Sequence, residues 1–310
     1  MKLPMTASQA PHIRAPKSTA GIMTAVIIAL LPAAGFGIYY FGLNALYLIL
    51  ATVATAVIAE YLACLIGKKK VTTGDYSAVV TGLILALCLP PDMPIWIGVA
   101  GAAFAILVVK IPFGGLGRNI VNPAAAARCF LLLSFAPMMI ARQNTVLATS
   151  ILTAGEEGDI AVSLLDLIFG HLGGMIGETS MLALAAGVVF LVLLGVVDLR
   201  IPGVYILSFL GFIVLFTKNT DPVYLVAHLI GGGLLLGAFF MATDFVTRPL
   251  SVAGQLIYGL LLGFLTAVFR FYGSGMEGVV FAIIIVNFLT PLIDKCISGY
   301  RPQKVKNDET

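Results

Sequence analysis

The sequence predicts an all-α, polytopic membrane protein, and three observations lead there. Of its 310 residues, 60% are hydrophobic and 11% charged, against the roughly 25% charged content of a soluble domain, and its mean hydropathy is +1.05. The apolar residues gather in runs that reach or approach the length of about 20 residues a helix needs to cross a bilayer. Those runs do not alternate as barrel strands do, and lipid offers no partner to an open backbone, so helices remain.

Ten apolar segments can be threaded: 21–41, 44–66, 77–89, 95–109, 123–137, 179–197, 202–217, 222–240, 255–271 and 277–296. The first is of full spanning length and follows about twenty residues without a small-residue cleavage pattern, so it reads as a retained helix and not as a signal peptide. The second returns. The third and fifth are short and flanked by Gly and Pro, as expected of helices that stop part-way and aim their ends at a site. Between the fifth and sixth lies the longest loop, 138–178.

Alternate threading puts Lys2, Arg14, Lys17, Lys68, Lys69, Lys70, Lys110, Arg118, Arg200, Arg248, Lys295, Arg301, Lys304 and Lys306 on one face, which is then cytoplasmic. The long loop falls on the other face and is acidic, with Glu156, Glu157, Asp159, Asp166 and Glu178 against Arg142. The expected organisation is a cytoplasmic segment 1–20, a first membrane repeat 21–140, an extracytoplasmic acidic loop 141–178, a second repeat 179–296 and a cytoplasmic tail 297–310. Both termini are expected inside, in the cell membrane. The net charge of +3 is accounted for by topology, and no nucleic-acid partner is implied. Cys64, Cys88, Cys129 and Cys296 lack metal-ligand spacing and read as inert thiols.

A weak internal likeness sets Thr81-Gly82-Leu83-Ile84-Leu85 over Gly232-Gly233-Leu234-Leu235-Leu236, each followed by a proline-bearing break. Five segments per half is an odd number, so the halves are expected as two inverted five-helix repeats with broken helices.

The polar island Gly173-Gly174-Met175-Ile176-Gly177-Glu178-Thr179-Ser180 opens the sixth segment. A hydroxyl at a helix start, beside free N–H groups and the positive end of the dipole, suits a phosphate, although threonine is also a common helix cap. The glycines let a ligand approach the backbone closely. Ionisable residues within or beside apolar segments are costly and invite a role: Glu60, Arg128, His228, Arg270, Glu277, and Asp244 with Arg248. Of these, Glu60 and Asp244 are the better ion-path candidates, though Glu60 could snorkel and Asp244 could pair with Arg248. The Gly114-Gly115-Leu116-Gly117 run follows a helix and not a strand, and reads as a re-entrant turn.

Pro11-His12-Ile13-Arg14, Asp75-Tyr76-Ser77-Ala78, Leu89-Pro90-Pro91, Gly114-Gly115-Leu116-Gly117-Arg118-Asn119 with Asn122-Pro123-Ala124, Gly177-Glu178-Thr179-Ser180 and Ala242-Thr243-Asp244 occur in order. Together they resemble the D subunit of the Rnf complex, a family similar to the B subunit of the sodium-pumping NADH:quinone reductase. The resemblance implies a translocase subunit that carries FMN and passes electrons between ferredoxin and NAD while Na+ or H+ moves across the membrane, the activity belonging to the whole complex. It implies covalent FMN on Thr179 through a phosphoester, with Gly177 and Glu178 as its frame, and leaves open a second, non-covalent flavin. The family's attachment pattern is Ser/Thr-Gly-Ala-Thr, from which Ile176-Gly177-Glu178-Thr179 departs at two positions. Implied partners are the other membrane subunits, the covalent-flavin G subunit and the NADH- and ferredoxin-facing C and B subunits. The rival readings are a solute channel or secondary transporter of urea-transporter-like fold without a redox cofactor, and a subunit that only docks partners.

Overall fold

The computed structural model describes residues 18–68, 71–143, 174–273 and 278–298, and all the regular structure among them is helical. Helix α1 (Thr19–Phe41) starts where the Ser18 hydroxyl accepts the Gly21 N–H at 3.1 Å. It ends at Gly42, whose φ of +75° turns the chain directly into α2 (Leu43–Ile66). Then come α3 (Ser77–Leu87), α4 (Ile95–Phe104), continued by a π-helical turn over Ala105–Lys110, α5 (Pro123–Ser134) and α6 (Ala136–Gln143). The second half holds α7 (Met181–Leu193), α8 (Arg200–Thr217), α9 (Pro222–Ile230), α10 (Leu234–Met241, with its own π-helical turn over Gly237–Met241), α11 (Val252–Tyr272) and α12 (Gly278–Ser298).

Five of these helices, α1, α2, α8, α11 and α12, are long and apolar enough to span a bilayer; the bent pair α9 and α10 would make a sixth. The others are short. Helix α3, with 11 residues, rises about 16 Å, roughly half of a hydrocarbon core of about 30 Å.

Three elements depart from the sequence expectation. The eighth segment is not one helix: Gly232 and Gly233 take φ of +68° and +70°, a region open to glycine and strained for other residues, and α10 leaves α9 at 60°. The sixth helix begins at Met181 and not at Thr179, because Ser180 supplies the cap, its Oγ accepting the Ala183 N–H at 3.3 Å. The fifth ends at Ser134, and the chain turns at Phe135 into α6.

Lipid gives apolar helices no solvent-driven reason to associate, so close backbone packing at small residues carries the assembly. Gly82 sits where a Cβ would lie 2.8 Å from Val53 Cα, and Gly98 where one would lie 2.6 Å from Thr52 Oγ1, which seats α3 and α4 on α2. In the second half Gly259 and Gly263 let α11 close on α8, and a Cβ at Gly263 would collide with Ser208 Oγ. Between the halves α1 packs on α7 and α5 on α12. At the first of these crossings Gly187 meets the Ala29 carbonyl, leaving no room for any side chain.

The bent pair is held from outside. The Arg270 guanidinium on α11 donates to the carbonyls of His228, of Gly231 at 2.7 Å and of Gly232 at 3.4 Å, and lies 4.9 Å over the Phe209 ring. It thereby satisfies carbonyls that a helix end leaves open.

Candidate functional site

Two polar junctions lie at opposite ends of the short helices. The first surrounds Thr179. A 3-10 turn over Ile176–Glu178 is pinned to the end of α3 by the Ile176 N–H, which donates to the Leu89 carbonyl at 3.1 Å. Gly177 is pressed between Leu87 and Leu236, where a Cβ would come within 2.8 Å of Leu87 Cβ. This glycine is needed for packing as well as for ligand access. Thr179 is 2% exposed, and its hydroxyl donates inward to the Ile176 carbonyl at 2.9 Å.

The Glu178 carboxylate lies beside Gly174 and Gly233. One oxygen lies 3.1 Å from the place a Cβ on Gly233 would take, at the start of α10, where a helix dipole favours an anion. Gly177, Glu178, Ser180, Met181 and Leu184 line a cavity of about 10 Å³, the size of a single water. Arg128, fully buried on α5, directs its guanidinium at the sulfurs of Met139 and Met175, at 3.5 and 3.7 Å. Gly173, most of the acidic loop and Glu277 lie outside the described residues.

The second junction is larger. A cavity of about 70 Å³ is bordered by the start of α1, the N-termini of α3 and α5, the end of α4, the segment after α7 and the end of α10. Its polar lining includes Ser77, Lys110, Asn119, Asn122 and Asp244. Asn122 joins the halves: its Oδ1 accepts the N–H groups of Ala124 and Ala125 at 3.0 and 3.1 Å to cap α5, and its amide donates to the Met241 carbonyl at 3.4 Å. Asp244, in the turn beyond α10, accepts the Val246 N–H at 3.3 Å. Desolvation pushes its carboxyl up to about 6, against the Val246 hydrogen bond and the Arg248 charge. Arg248 lies 4.5 Å over the Phe245 ring and makes no ion pair with Asp244.

Lys110 corrects the sequence reading most. Threaded there as a loop lysine, it is 1% exposed and donates to Glu60 Oε1 at 2.9 Å and Ser77 Oγ at 2.5 Å. Glu60 is fully buried and does not reach out to the interface. The signal was present: Lys110 closes an apolar run at the membrane end where Glu60 carries the opposite charge. Glu60 also accepts the Thr72 hydroxyl at 2.7 Å, and Asp75 accepts both the N–H and the hydroxyl of Ser77, at 2.8 and 2.5 Å. The candidates thus divide, with Thr179, Gly177 and Glu178 at one end and Glu60 and Asp244 beside the cavity at the other.

Full-length helices packed around shorter ones, with polar groups where the short ones end, define a multi-pass helical membrane protein with interior sites. The chain belongs to the NQR2, RnfD, RnfE family, which it matches over residues 6–302. It is 44% identical to the D subunit of the Na+-translocating ferredoxin:NAD+ oxidoreductase complex of Acetobacterium woodii, over 95% of this chain and 94% of that one. It is 38% identical to the D subunit of the proton-translocating ferredoxin:NAD+ oxidoreductase complex of Clostridium ljungdahlii, over 94% and 93% of the two chains. A third relative, the D subunit of the ion-translocating oxidoreductase complex of Stutzerimonas stutzeri, is 37% identical over 88% and 89%.

Proposed function

We propose that this chain is a membrane subunit of an ion-translocating ferredoxin:NAD+ oxidoreductase complex, carrying FMN and contributing to Na+ or H+ movement. The near full-length similarity to subunits of that name carries the reading. Catalysis belongs to the assembly with its other membrane subunits, the G subunit and the NADH- and ferredoxin-facing C and B subunits. The purified complex is expected to reduce NAD+ with reduced ferredoxin and move an ion, while the isolated chain oxidises no NADH with an artificial acceptor. NADH oxidation by the isolated chain would move the catalytic site into it.

FMN is placed on Thr179 as a phosphoester. The attachment end fits at the level of position: Thr179 stands two residues before α7, at a helix start whose first-turn N–H groups favour a phosphate, and its hydroxyl, now donated to the Ile176 carbonyl, would have to turn toward them. The isoalloxazine ring does not fit the 10 Å³ cavity, so only the attachment end is assigned to these residues. When bound, FMN supplies the redox chemistry. The chain's part is to free the Thr179 hydroxyl from the Ile176 carbonyl by rotation about its Cα–Cβ bond and to keep Glu178 on the α10 side. A second, non-covalent flavin is left unassigned.

The finer architecture is proposed as ten membrane segments in two inverted repeats, with both termini cytoplasmic and the acidic loop 141–178 outside. Supporting it, the start of α1, the N-termini of α3 and α5 and the C-terminal ends of α4, α7 and α10 meet at one cavity, as alternate threading requires. The pairing of α1 with α7 and of α5 with α12 across the halves also agrees. Asp75 and Asp221 open α3 and α9, the equivalent segments, with the same carboxylate-to-N–H bonds. Cysteines placed at the exposed Lys68 and Lys218 are expected to label from opposite faces of the membrane; labelling from one face would overturn the threading.

A further inference from the structure

We propose that Glu60, Thr72, Ser77 and Asp75 form a sodium-ion site in which the Lys110 ammonium now stands in for the ion, the two cations exchanging during transport. This rests on the reading that the complex moves an ion, and it locates a step of that movement within this chain.

Stability does not explain the pair. Glu60 and Lys110 are 0% and 1% exposed, and a buried ion pair is often no more stable than apolar residues of the same volume. Nor is the carboxylate fully served. Its Oε1 receives both Lys110 Nζ and the Thr72 hydroxyl, while Oε2 is buried with no hydrogen-bond partner among the described residues. An unmet carboxylate oxygen away from water is costly. It is a coordination position waiting for a cation.

Charge and donor type narrow the ligand. Glu60 meets the Lys110 ammonium directly and Asp75 is joined to it through the Ser77 hydroxyl, so two carboxylates share one ammonium and the cluster is one charge negative, which selects against anions. Its donors are carboxylate and hydroxyl oxygens, a hard set that suits alkali and alkaline-earth cations over transition metals. Exchange of the Lys110 ammonium for a monovalent ion replaces one positive charge by one positive charge and leaves the charge of the cluster unchanged. A divalent ion would change it at each exchange and be held more tightly against the returning ammonium.

Position supplies the route. Thr72 is at the surface and Asp75 half-buried, whereas Ser77 and Lys110 border the cavity between the halves. The cluster therefore has an outer and an inner side. Lys110 ends the π-helical turn of α4, an irregularity frequent at functional sites, and carries its charge on a flexible four-carbon stem. If the ammonium swings into the cavity, Asp244 across the lining offers it a new carboxylate and the oxygens of Glu60 are left to the ion. Its return expels the ion. No bond is made or broken.

The test uses the purified complex in sealed liposomes, reading Na+ taken up per NAD+ reduced and the Na+ concentration giving half-maximal rate. Lys110→Met removes the competing cation: half-saturation is expected to fall by about tenfold or more, equivalent to about 1.4 kcal/mol, while Na+ moved per NAD+ drops. Glu60→Gln is expected to raise half-saturation by a similar factor. The double variant Glu60→Gln/Lys110→Met, which leaves no unpaired buried charge, should assemble and reduce NAD+ without moving Na+. Wild-type half-saturation and stoichiometry in the double variant would overturn the site. As a check that needs no variant, Na+ against choline should slow hydrogen exchange over residues 71–77 of the wild-type complex, and no change there would also overturn it. A wild-type complex that moves no ion would refute the functional reading itself; one that moves only protons, indifferent to Na+, would refute the sodium site alone.

Discussion

Thr179→Ala is expected to abolish the fluorescent flavin band of this chain on a denaturing gel while the chain still inserts and assembles. The hydroxyl is lost, and with it the bond to the Ile176 carbonyl, worth about 1 kcal/mol. The turn itself stays pinned by the Ile176 N–H on Leu89. Thr179→Ser keeps the nucleophilic oxygen and should retain part of the band. Glu178→Ala separates two accounts of the unusual Gly177-Glu178-Thr179 order: with the carboxylate directed at Gly233, it is not an obstacle to a phosphate, and attachment should be kept or increased. Flavin retained by Thr179→Ala, or a wild-type peptide spanning residues 174–184 without added FMN mass, would overturn the assignment.

Arg270→Leu is expected to prevent stable assembly of the complex or to lower its thermal midpoint sharply. The guanidinium serves the carbonyls of His228, Gly231 and Gly232 together, and each buried acceptor left open costs about 1–3 kcal/mol. Water cannot replace the donor inside a bilayer. Arg270→Lys should recover only part of the loss, because an ammonium is a point charge and cannot span three acceptors as a planar fork does. An unchanged midpoint in Arg270→Leu would show that α9 and α10 hold their bend without it.

The long helices were legible because composition alone specifies them: α1, α2, α8 and α11 lie within a few residues of the expected segments. The bend at Gly231–Gly233 was not, since hydropathy runs unbroken across it, and only the backbone angles reveal that two glycines have left the helical region. The start of α7 was missed by two residues because threonine and serine stand side by side and both can cap. Lys110 was missed for a different reason. A lysine at the end of an apolar run reads as a topological marker, and its partner is fifty residues away in sequence. The site at Thr179 was suggested by its glycines, but the need for Gly177 to fit between Leu87 and Leu236 is a tertiary fact.

The crossing of α1 and α7 has a mechanical consequence. With Gly187 against the Ala29 carbonyl, backbone bears on backbone, and no flexible side chain lies between them to let one helix slide along the other. On one side of the contact α1 and the segment after α7 border the 70 Å³ cavity; on the other, Gly37 of α1 meets Ile176 beside Thr179. One rigid helix therefore touches both junctions, the cavity at its start and the Thr179 turn near its end, with a crossing between them that admits no side chain.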